Sequence, residues 1–341
     1  MGFFRGHFLP LLKRVVPSAM YAALRDRYRS LAWFRLFKEE AVRLGCSTED
    51  CCGYCIRYLT MLLDSGDTRR ARRMVRWCMD SPGIMPNLSR NLRIAAFAFD
   101  CGCRSKEIDM AARVFKSVKA THASSALADL VAGRTVAVVG NGPGEVGKGL
   151  GGEIDSHDIV VRFNSFMTEG YEVDYGTRTD IWSKASIDHI VHERVAGVKS
   201  MVVHDRNLER DSLKPGYIEA ADDMLNRGLL VDYYPLECRE ALAKAGCKSP
   251  TTGFLMIEML RRAAPRYIDA YGFSFLVEGA SQDTYSNLGQ KISQERMKYE
   301  ISFHDIDFEI KYLRKLFGGG RRLQVSGAPS VCGGPGKADD E

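Results

Sequence analysis

The 341-residue sequence contains no apolar run as long as a membrane-spanning helix, which needs about 20 mostly apolar residues. Residues 3–24 come nearest, but two prolines and the polar side chains Arg5, His7, Lys13 and Arg14 interrupt them. The same interruptions are incompatible with the apolar core of a signal peptide. Because position 6 is Gly6 rather than Ser or Thr, the N-myristoylation pattern is missing too. The segment is therefore expected to be either a basic amphipathic helix on a membrane surface or a helix packed within the protein.

Ten cysteines are present, yet the partners that would make them a metal site are missing. Cys52 and Cys55 have the spacing of a zinc-ligand pair, but no second CxxC and no HxxxH follows at the distance of a zinc finger. The sequence therefore predicts reduced thiols packed within helices rather than a metal centre.

The net charge of +5 is unevenly distributed. Residues 1–130 carry 22 Lys and Arg against 12 Asp and Glu, whereas residues 131–341 carry 26 against 31. Such a basic region suits an anionic lipid surface, a nucleic acid or an acidic polysaccharide, and it is equally typical of a solvated helix face. Of these, we expect peripheral membrane contact through the basic N-terminal helices and no nucleic-acid partner.

Residues 1–130 are predicted to be helical. Apolar side chains recur at helical spacing in residues 58–63 and 75–79. A small-residue turn followed by an alanine-bearing helix occurs at residues 63–71 and recurs at residues 99–115. This recurrence is typical of tetratricopeptide-like helical hairpins, and an ordinary helical domain explains it equally well.

Strand and helix patterns alternate from Thr135 onwards. The β-branched run Thr135–Val139 is predicted to be a strand buried on both faces, and a glycine-rich turn separates it from a second strand, Ile159–Phe163. Further strands are predicted at residues 200–204, 229–234 and 266–271, with helices at 217–227 and 254–264. The alternation predicts an α/β fold with a mostly parallel, Rossmann-like sheet.

Three parts are predicted along the chain: a helical region (1–130), an α/β domain (131–317) and a glycine-rich tail (318–341) that we expect to be mobile. Within the α/β domain, Thr251 and Thr252 precede an apolar helix, so their hydroxyl groups can cap its first turn. A helix N-terminus in this place suits a phosphate or a sugar carboxylate.

The glycine-rich turn permits two interpretations. Gly142, Gly144 and Gly147 match the G-x-G-x-x-G pattern of a dinucleotide site. That pattern calls for an acidic residue at the end of the second strand, but this sequence has Arg162-Phe163-Asn164 there. Pro143 would also stiffen the turn and remove one backbone donor. An NAD-dependent oxidoreductase is therefore the weaker interpretation.

The other interpretation rests on three segments that occur in order. GEIDSHDIVVRFN (152–164) with YEVDYGTRTD (171–180) resembles the large sialyl motif of the eukaryotic-type sialyltransferases, glycosyltransferase family 29. Residues 250–273, which begin PTTGF and end YGF, resemble the family's small motif. His304 and Glu309, separated by four residues, resemble its very small motif. The resemblance covers about residues 135–317 and implies the family's variant of the GT-A fold.

The resemblance implies an inverting, metal-independent glycosyltransferase that moves sialic acid from CMP-sialic acid to a glycan hydroxyl and uses no cofactor. His304 is the implied general base, and Glu309 would orient the loop or the imidazole ring. Asn141 and Asn164 would contact the cytidine nucleotide. The implied donor-binding residues are Gly140, Asn141, Gly142, Asn164, Tyr233, Thr251, Thr252 and Gly253.

Departures from the family pattern bear on location and donor. The cysteines that secreted members pair between the large and small motifs are missing: Val136 stands at the first position and residues 263–265 at the second. Their loss suits a reducing compartment, so we expect a cytoplasmic, bacterial-like member at or near the inner face of the membrane.

The intermediate motif has only a partial counterpart in Asp283–Asn287, without its His. Asp305-Ile-Asp307 is like the metal-binding D-x-D of other glycosyltransferases, but it lies inside the His-x4-Glu element, and we predict no metal.

Two alternative functions stay open. CMP-Kdo presents the same cytidine monophosphate and an anomeric carboxylate, so a CMP-Kdo-dependent transferase of surface polysaccharide or lipooligosaccharide would fit the same motifs. A helical-repeat scaffold protein with an inert transferase domain is the alternative from another class.

His157 matches a family residue, but a buried structural role is the favoured interpretation for it.

Overall fold

The computed structural model describes residues 48–79, 84–123, 125–185, 197–204, 213, 215–234, 236–247, 249–276 and 304–325. The predictions for the segment 3–24, for Asp283–Asn287 and for the tail beyond residue 325 lie outside these ranges. The chain divides into two compact units, a helical unit (residues 1–89 and 97–108) and a sheet unit (residues 90–96 and 109–341). No helix within the described ranges is long and apolar enough to cross a bilayer.

Helices account for most of the described chain before the sheet. They are α1 (Thr48–Asp64), α2 (Thr68–Met79), α3 (Met85–Leu88), α4 (Leu92–Asp100), α5 (Lys106–Ala123) and α6 (Ala126–Val131). The helical unit ends within α5, so the later part of the predicted helical region belongs to the sheet unit. Cys55, Cys78 and Cys103 are buried free thiols, as expected for reduced cysteines packed in helices.

Seven strands form one sheet in the sheet unit. They are β1 (Thr135–Val139), β2 (Ile159–Phe163), β3 (Ile181–Lys184), β4 (Ser200–Val203), β5 (Leu230–Tyr233), β6 (Tyr267–Tyr271) and β7 (Arg322–Gln324). Their spatial order is β5-β4-β3-β2-β1-β6-β7, and every pair is parallel except β6 with β7. The predicted mostly parallel α/β sheet is therefore confirmed.

The remaining helices connect these strands. They are α7 (Gly151–Asp155), α8 (Glu172–Tyr175), α9 (Pro215–Asn226), α10 (Leu236–Lys244), α11 (Thr252–Arg262) and α12 (Ile306–Leu316). Five strands and two helices lie within a few residues of their predicted positions, whereas β3 and β7 were not predicted.

The two faces of the sheet have separate apolar cores. Apolar side chains of α11 and α12 pack with Val136, Val138 and Val161 on one face. Ala137 and Val160 face the other way and pack with side chains of α7 and α8. Because β1 and β2 are buried on both faces, their sequences are continuous apolar runs rather than alternating ones.

Strand order reverses direction at β1. Strands β2 to β5 lie on one side of it, and β6 with β7 lies on the other. In open parallel sheets, ligands bind beyond the carboxyl ends of the strands near such a reversal. The loops that follow β1, β2 and β6 are therefore the place to examine for a site.

Candidate functional site

The glycine-rich turn after β1 begins in close contact with the end of β6. Gly140 N–H donates to the Tyr271 carbonyl oxygen at 2.8 Å, and Gly142 N–H donates to the Gly272 carbonyl oxygen at 2.9 Å. A Cβ on Gly140 would lie 2.5 Å from that Gly272 oxygen, closer than van der Waals contact permits. These two glycines are thus required by the approach of two backbones, and their N–H groups are already bonded.

The rest of the turn is held by the second half of the large motif. Asp174 accepts hydrogen bonds from Gly147 N–H and Gly149 N–H, both at 2.8 Å. Tyr175 donates its hydroxyl to the Gly142 carbonyl oxygen at 2.7 Å. The N–H groups of these four glycines are therefore already bonded to protein oxygens. A donor-binding role for Gly140 and Gly142 stays a prediction.

Glu145 is a buried carboxylate within the turn that the sequence analysis did not single out. It pairs with Lys148 at 3.1 Å and with Arg321, just before β7, at 3.2 Å, and it accepts a hydrogen bond from Gly272 N–H. Burial would raise the pKa of Glu145, but these partners outweigh it and lower the pKa. The turn is thus tied to both β6 and the C-terminal strand.

Asn141 and Asn164 follow two neighbouring strands, as predicted. Asn141 donates its Nδ2 to the Phe163 carbonyl oxygen at 3.1 Å. Asn164 has a φ of 49°, and its Oδ1 accepts from Ala185 N–H at 2.7 Å. Each amide therefore uses one of its two polar atoms to hold the strand ends together. Within the described ranges, Oδ1 of Asn141 and Nδ2 of Asn164 make no hydrogen bond and are available to a ligand.

The N-terminus of α11 lies beside these strand ends. Thr251 caps the helix, with its Oγ1 accepting from Phe254 N–H at 3.2 Å. The N–H groups of Thr252 and Gly253 have no partner among the described residues. A Cβ on Gly253 would lie 2.8 Å from the ring of Phe273, which follows β6. The helix start is therefore held close to the carboxyl edge of the sheet with two backbone donors unused.

Glu309 joins the very small motif to the small motif. Its Oε1 accepts from Thr251 N–H and its Oε2 from the Thr251 hydroxyl, each at 2.6 Å. The side chain is buried on the first turn of α12. Burial raises the pKa of Glu309 to about 8, although the two hydrogen bonds act in the opposite direction. Glu309, which was predicted to orient the loop or the imidazole ring, thus holds Thr251, the residue that caps α11.

His304 lies against the same loop. Its Nδ1 is 3.1 Å from the Ser249 carbonyl oxygen, which also accepts from Asp305 N–H at 3.3 Å. A carbonyl oxygen can only accept, so Nδ1 carries the proton and Nε2 carries the lone pair. The half-buried ring therefore has the tautomer that a general base requires.

Two residues named from the sequence are placed apart from this group. Tyr233 ends β5, four strands from β1, which at about 4.8 Å per strand is roughly 19 Å. Its ring is buried and stacks on His122 with ring centroids 4.4 Å apart. His157 is buried, with its Nε2 3.1 Å from Asp269, which also pairs with Arg322. His157 is thus structural, as favoured above, and the structure does not bring Tyr233 to the other donor-binding candidates.

No three His, Cys, Asp or Glu side chains in the described chain come together as metal ligands would. Asp305 is half-buried and Asp307 is exposed on the first turn of α12. The prediction of metal independence is not tested by this arrangement and stays a prediction.

Comparison with known families identifies the large-motif region. Residues 87–210 match the model of glycosyltransferase family 29 (sialyltransferase). This part of the chain, residues 87–210, belongs to glycosyltransferase family 29. The matched region includes the glycine-rich turn and Asn164, and it begins well before Thr135. It ends before the small and very small motifs, so those two assignments rest on sequence resemblance and on their contacts with each other.

Curated relatives of this family 29 chain match over short segments. Beta-galactoside alpha-2,6-sialyltransferase 2 of Bos taurus is 52% identical over 48 residues, 14% of this chain and 10% of that protein. Sialyltransferase-like protein 2 of Oryza sativa subsp. indica is 41% identical over 64 residues, 18% of this chain and 16% of that protein. The match therefore spans about a tenth to a sixth of the relatives' length.

Two solved structures of a mammalian sialyltransferase are also similar. One, in complex with Gal-beta-1-3GalNAc-ortho-nitrophenol, is 21% identical, with 63% of this chain and 77% of that chain covered and a TM-score of 0.43. The other is 22% identical, with 55% and 67% covered and a TM-score of 0.39. Scores this low do not establish a common fold, and the fold described above rests on its own strand order.

Proposed function

We propose that this family 29 chain is an inverting, metal-independent transferase that moves sialic acid from CMP-sialic acid to a glycan hydroxyl, with His304 as the general base. One observation carries the proposal: His304 lies against the loop that leads into α11, and its Nδ1 is fixed by the Ser249 carbonyl oxygen. The basic nitrogen is thereby Nε2, and the contacted loop leads into a helix N-terminus with two backbone donors that have no partner among the described residues. Family membership supports the reaction class.

The acceptor hydroxyl would lose its proton to Nε2 of His304 as its oxygen attacks the anomeric carbon. A neutral imidazole suits this step, because its unprotonated nitrogen can take up the proton that the hydroxyl loses. The hydrogen bond from Nδ1 to Ser249 also stabilises the imidazolium that forms. The hydroxyl would come from a glycan acceptor.

The negative charge of the donor would be held at the start of α11. The N–H groups of Thr252 and Gly253 and the positive end of the helix dipole favour a phosphate or a carboxylate. Asn141 Oδ1 and Asn164 Nδ2, one acceptor and one donor, suit the cytidine or ribose. In this proposal, charge develops on the leaving CMP where preorganised N–H groups already point.

Glu309 would act on the reaction through Thr251. By holding both polar atoms of the capping residue, it fixes the direction of the first turn of α11. Glu309 lies five residues after His304 in the chain, so the same carboxyl links the base to the anion-binding loop. We therefore treat Glu309 as a positioning residue rather than a catalytic one.

The test is release of CMP from CMP-sialic acid and from CMP-Kdo, with EDTA and with a glycan acceptor present or absent. We expect turnover of CMP-sialic acid that EDTA does not change. His304→Ala should lower acceptor-dependent kcat by about 10²- to 10⁴-fold, the usual contribution of a general base. Asp307→Asn, an exposed change in the same element, is the matched control.

Three outcomes would revise the proposal. Turnover of CMP-Kdo alone would change the donor while retaining the mechanism. Loss of activity in EDTA that added metal restores would contradict metal independence. If neither donor binds or reacts, a scaffold protein with an inert transferase domain would be favoured.

A further inference from the structure

Helix α2 of the helical unit presents a stripe of four arginines to solvent. Arg69, Arg72, Arg73 and Arg76 occupy positions i, i+3, i+4 and i+7, which share one face of a helix, and all four are exposed. The opposite face is buried and consists of Ala71, Met74, Val75 and Cys78. The stripe runs along about 10 Å of helix at 1.5 Å per residue. We call these four residues the arginine face.

Within the part of the chain that the structure describes, no acidic side chain neutralises the arginine face. Helix α2 contains no acidic residue, and none of the four side chains forms an ion pair with a described residue. Asp67, the acid just before the helix, pairs instead with Arg70 at 3.2 Å. Arg72 forms a hydrogen bond with the Cys101 thiol, whose pKa is raised by burial, so that partner is uncharged.

This arrangement works against the stability of the helix itself. Like charges at i, i+3 and i, i+4 repel one another. Arg69 and Arg72 also lie near the positive N-terminal end of the helix dipole, where cations are unfavourable. A compensating anion from outside the chain would remove both penalties. Guanidinium groups are suited to such a partner, since they bind phosphate oxygens in pairs.

Apolar side chains border the arginine face on both sides. Met79 is 46% exposed and lies seven residues after Arg72, so it continues one edge of the stripe. Trp77 is half-buried and lies four residues after Arg73, along the other edge. Arginines flanked by an exposed methionine and a tryptophan are typical of a helix face that rests on a membrane interface.

We propose that the arginine face of α2 binds the surface of an anionic phospholipid membrane. The apolar face of α2 is packed in the core of its own unit and cannot enter the bilayer. The helix therefore lies on the lipid headgroups and contacts them through its arginines. An acidic polysaccharide offers the same charge, but it gives the exposed Met79 nothing apolar to contact. The face precedes both residues 87–210, the part that matches the family model, and all three motifs, so the binding is separable from transfer.

The test is flotation of the full chain with vesicles of phosphatidylcholine alone and of phosphatidylcholine mixed with phosphatidylserine. We expect binding only to the anionic vesicles, falling as salt is added. Changing all four arginines to Gln should weaken partitioning by about 10²- to 10³-fold, because each basic side chain near such a surface contributes about fivefold. The exposed positions make loss of folding improbable, and circular dichroism checks it.

Matched variants distinguish binding through the arginine face from a general effect of the protein's total positive charge. Changing four exposed basic residues of the sheet unit to Gln removes the same charge and should leave binding intact: Lys244, Arg262, Lys311 and Lys315. Met79→Ser should weaken binding by less than tenfold. Equal binding by the arginine-to-Gln variant and the wild type would overturn the proposal. So would retention on an acidic polysaccharide without binding to anionic vesicles.

Discussion

Two loops at the carboxyl edge of the sheet use their backbone donors in opposite ways. In the glycine-rich turn, four N–H groups donate to protein oxygens: one to Tyr271 at the end of β6, one to Gly272 just after it, and two to Asp174. In the loop that leads into α11, the N–H groups of Thr252 and Gly253 have no partner within the described chain. Glycine content is therefore a poorer guide to an anion site here than the start of a helix, whose first N–H groups lack intrahelical partners.

The carboxyl groups that hold the two loops also differ. Hydrogen bonds from Gly147 N–H and Gly149 N–H lower the pKa of Asp174. Burial raises the pKa of Glu309 to about 8. The glycine-rich turn is thus fastened by an ionised carboxylate. The carboxyl that fastens the α11 loop is protonated at neutral pH, and in that state its O–H donates to the Thr251 hydroxyl oxygen, which reverses that hydrogen bond. The two loops should respond to pH in opposite directions.

The largest expected effect is a loss of folding stability as the pH rises to about 8. Because the pKa of Glu309 is about 8 when folded and about 4.5 when unfolded, only the unfolded chain releases this proton between those values. The free energy of unfolding should therefore fall as pH rises from 4.5 to 8, by on the order of 5 kcal/mol at 1.36 kcal/mol per pKa unit. Urea denaturation at a series of pH values measures it.

Glu309→Gln is the control for that pH profile. Glutamine stays neutral, and it can accept from Thr251 N–H while donating to the Thr251 hydroxyl. Its profile should be flatter than that of the wild type between pH 4.5 and 8. Parallel profiles for the two proteins would mean that Glu309 is ionised when folded, and the contrast between the two loops would then be lost.

The next largest effect is expected from Gly140→Ala. The new Cβ would lie 2.5 Å from the Gly272 carbonyl oxygen, and neither backbone can move without breaking the Gly140–Tyr271 hydrogen bond. We expect the free energy of unfolding to fall by about 3 kcal/mol, at the upper end for overpacking. Gly152→Ala is the control, because position 152 of α7 is exposed and has open space around it, and this change should leave stability almost unchanged. If both variants were equally stable, the turn would not be rigid against β6.

Thr252→Pro removes one of the unused donors of α11 without disturbing the helix. Proline is favoured at the first helical position, and Thr251 has φ −70° and ψ 158°, which suit a residue before proline. We expect CMP-donor affinity to fall about thirtyfold, or about 2 kcal/mol for a hydrogen bond to a charged group. Thr252→Ala keeps the N–H group and should bind normally. Unchanged donor binding by the proline variant would place the anion elsewhere.

Much of the sheet is predictable from local sequence. The predicted ends of β1 and β2 agree with the structure, because continuous β-branched runs have few alternatives to a doubly buried strand. Strand β3 was missed because half of it, Ser183 and Lys184, is polar although buried. Strand β7 has Leu323 as its one apolar residue and is held by Arg322 on Asp269, a contact that forms only in the folded chain.

The site is predictable only in part, for a similar reason. The resemblance named His304 and Glu309, but their partners Ser249 and Thr251 lie 55 and 58 residues away in the sequence. No local pattern indicates that such distant groups meet. The occupation of the glycine N–H groups by Asp174 was missed likewise, since that carboxylate lies 27 residues from Gly147. Sequence indicates which groups can donate, and tertiary structure decides which donors remain free.

The smallest effect is expected from Asn141→Ala, and it compares the two loops directly. Asn141 ties the glycine-rich turn to the end of β2 through one hydrogen bond, so its loss should lower the free energy of unfolding by about 1 kcal/mol. Donor affinity should fall less than tenfold, and so less than with Thr252→Pro, because the α11 donors stay in place. Asn226→Ala, on the exposed end of α9, is the control. If Asn141→Ala weakened donor binding more than Thr252→Pro, the main anchor of the nucleotide would be the turn rather than the helix.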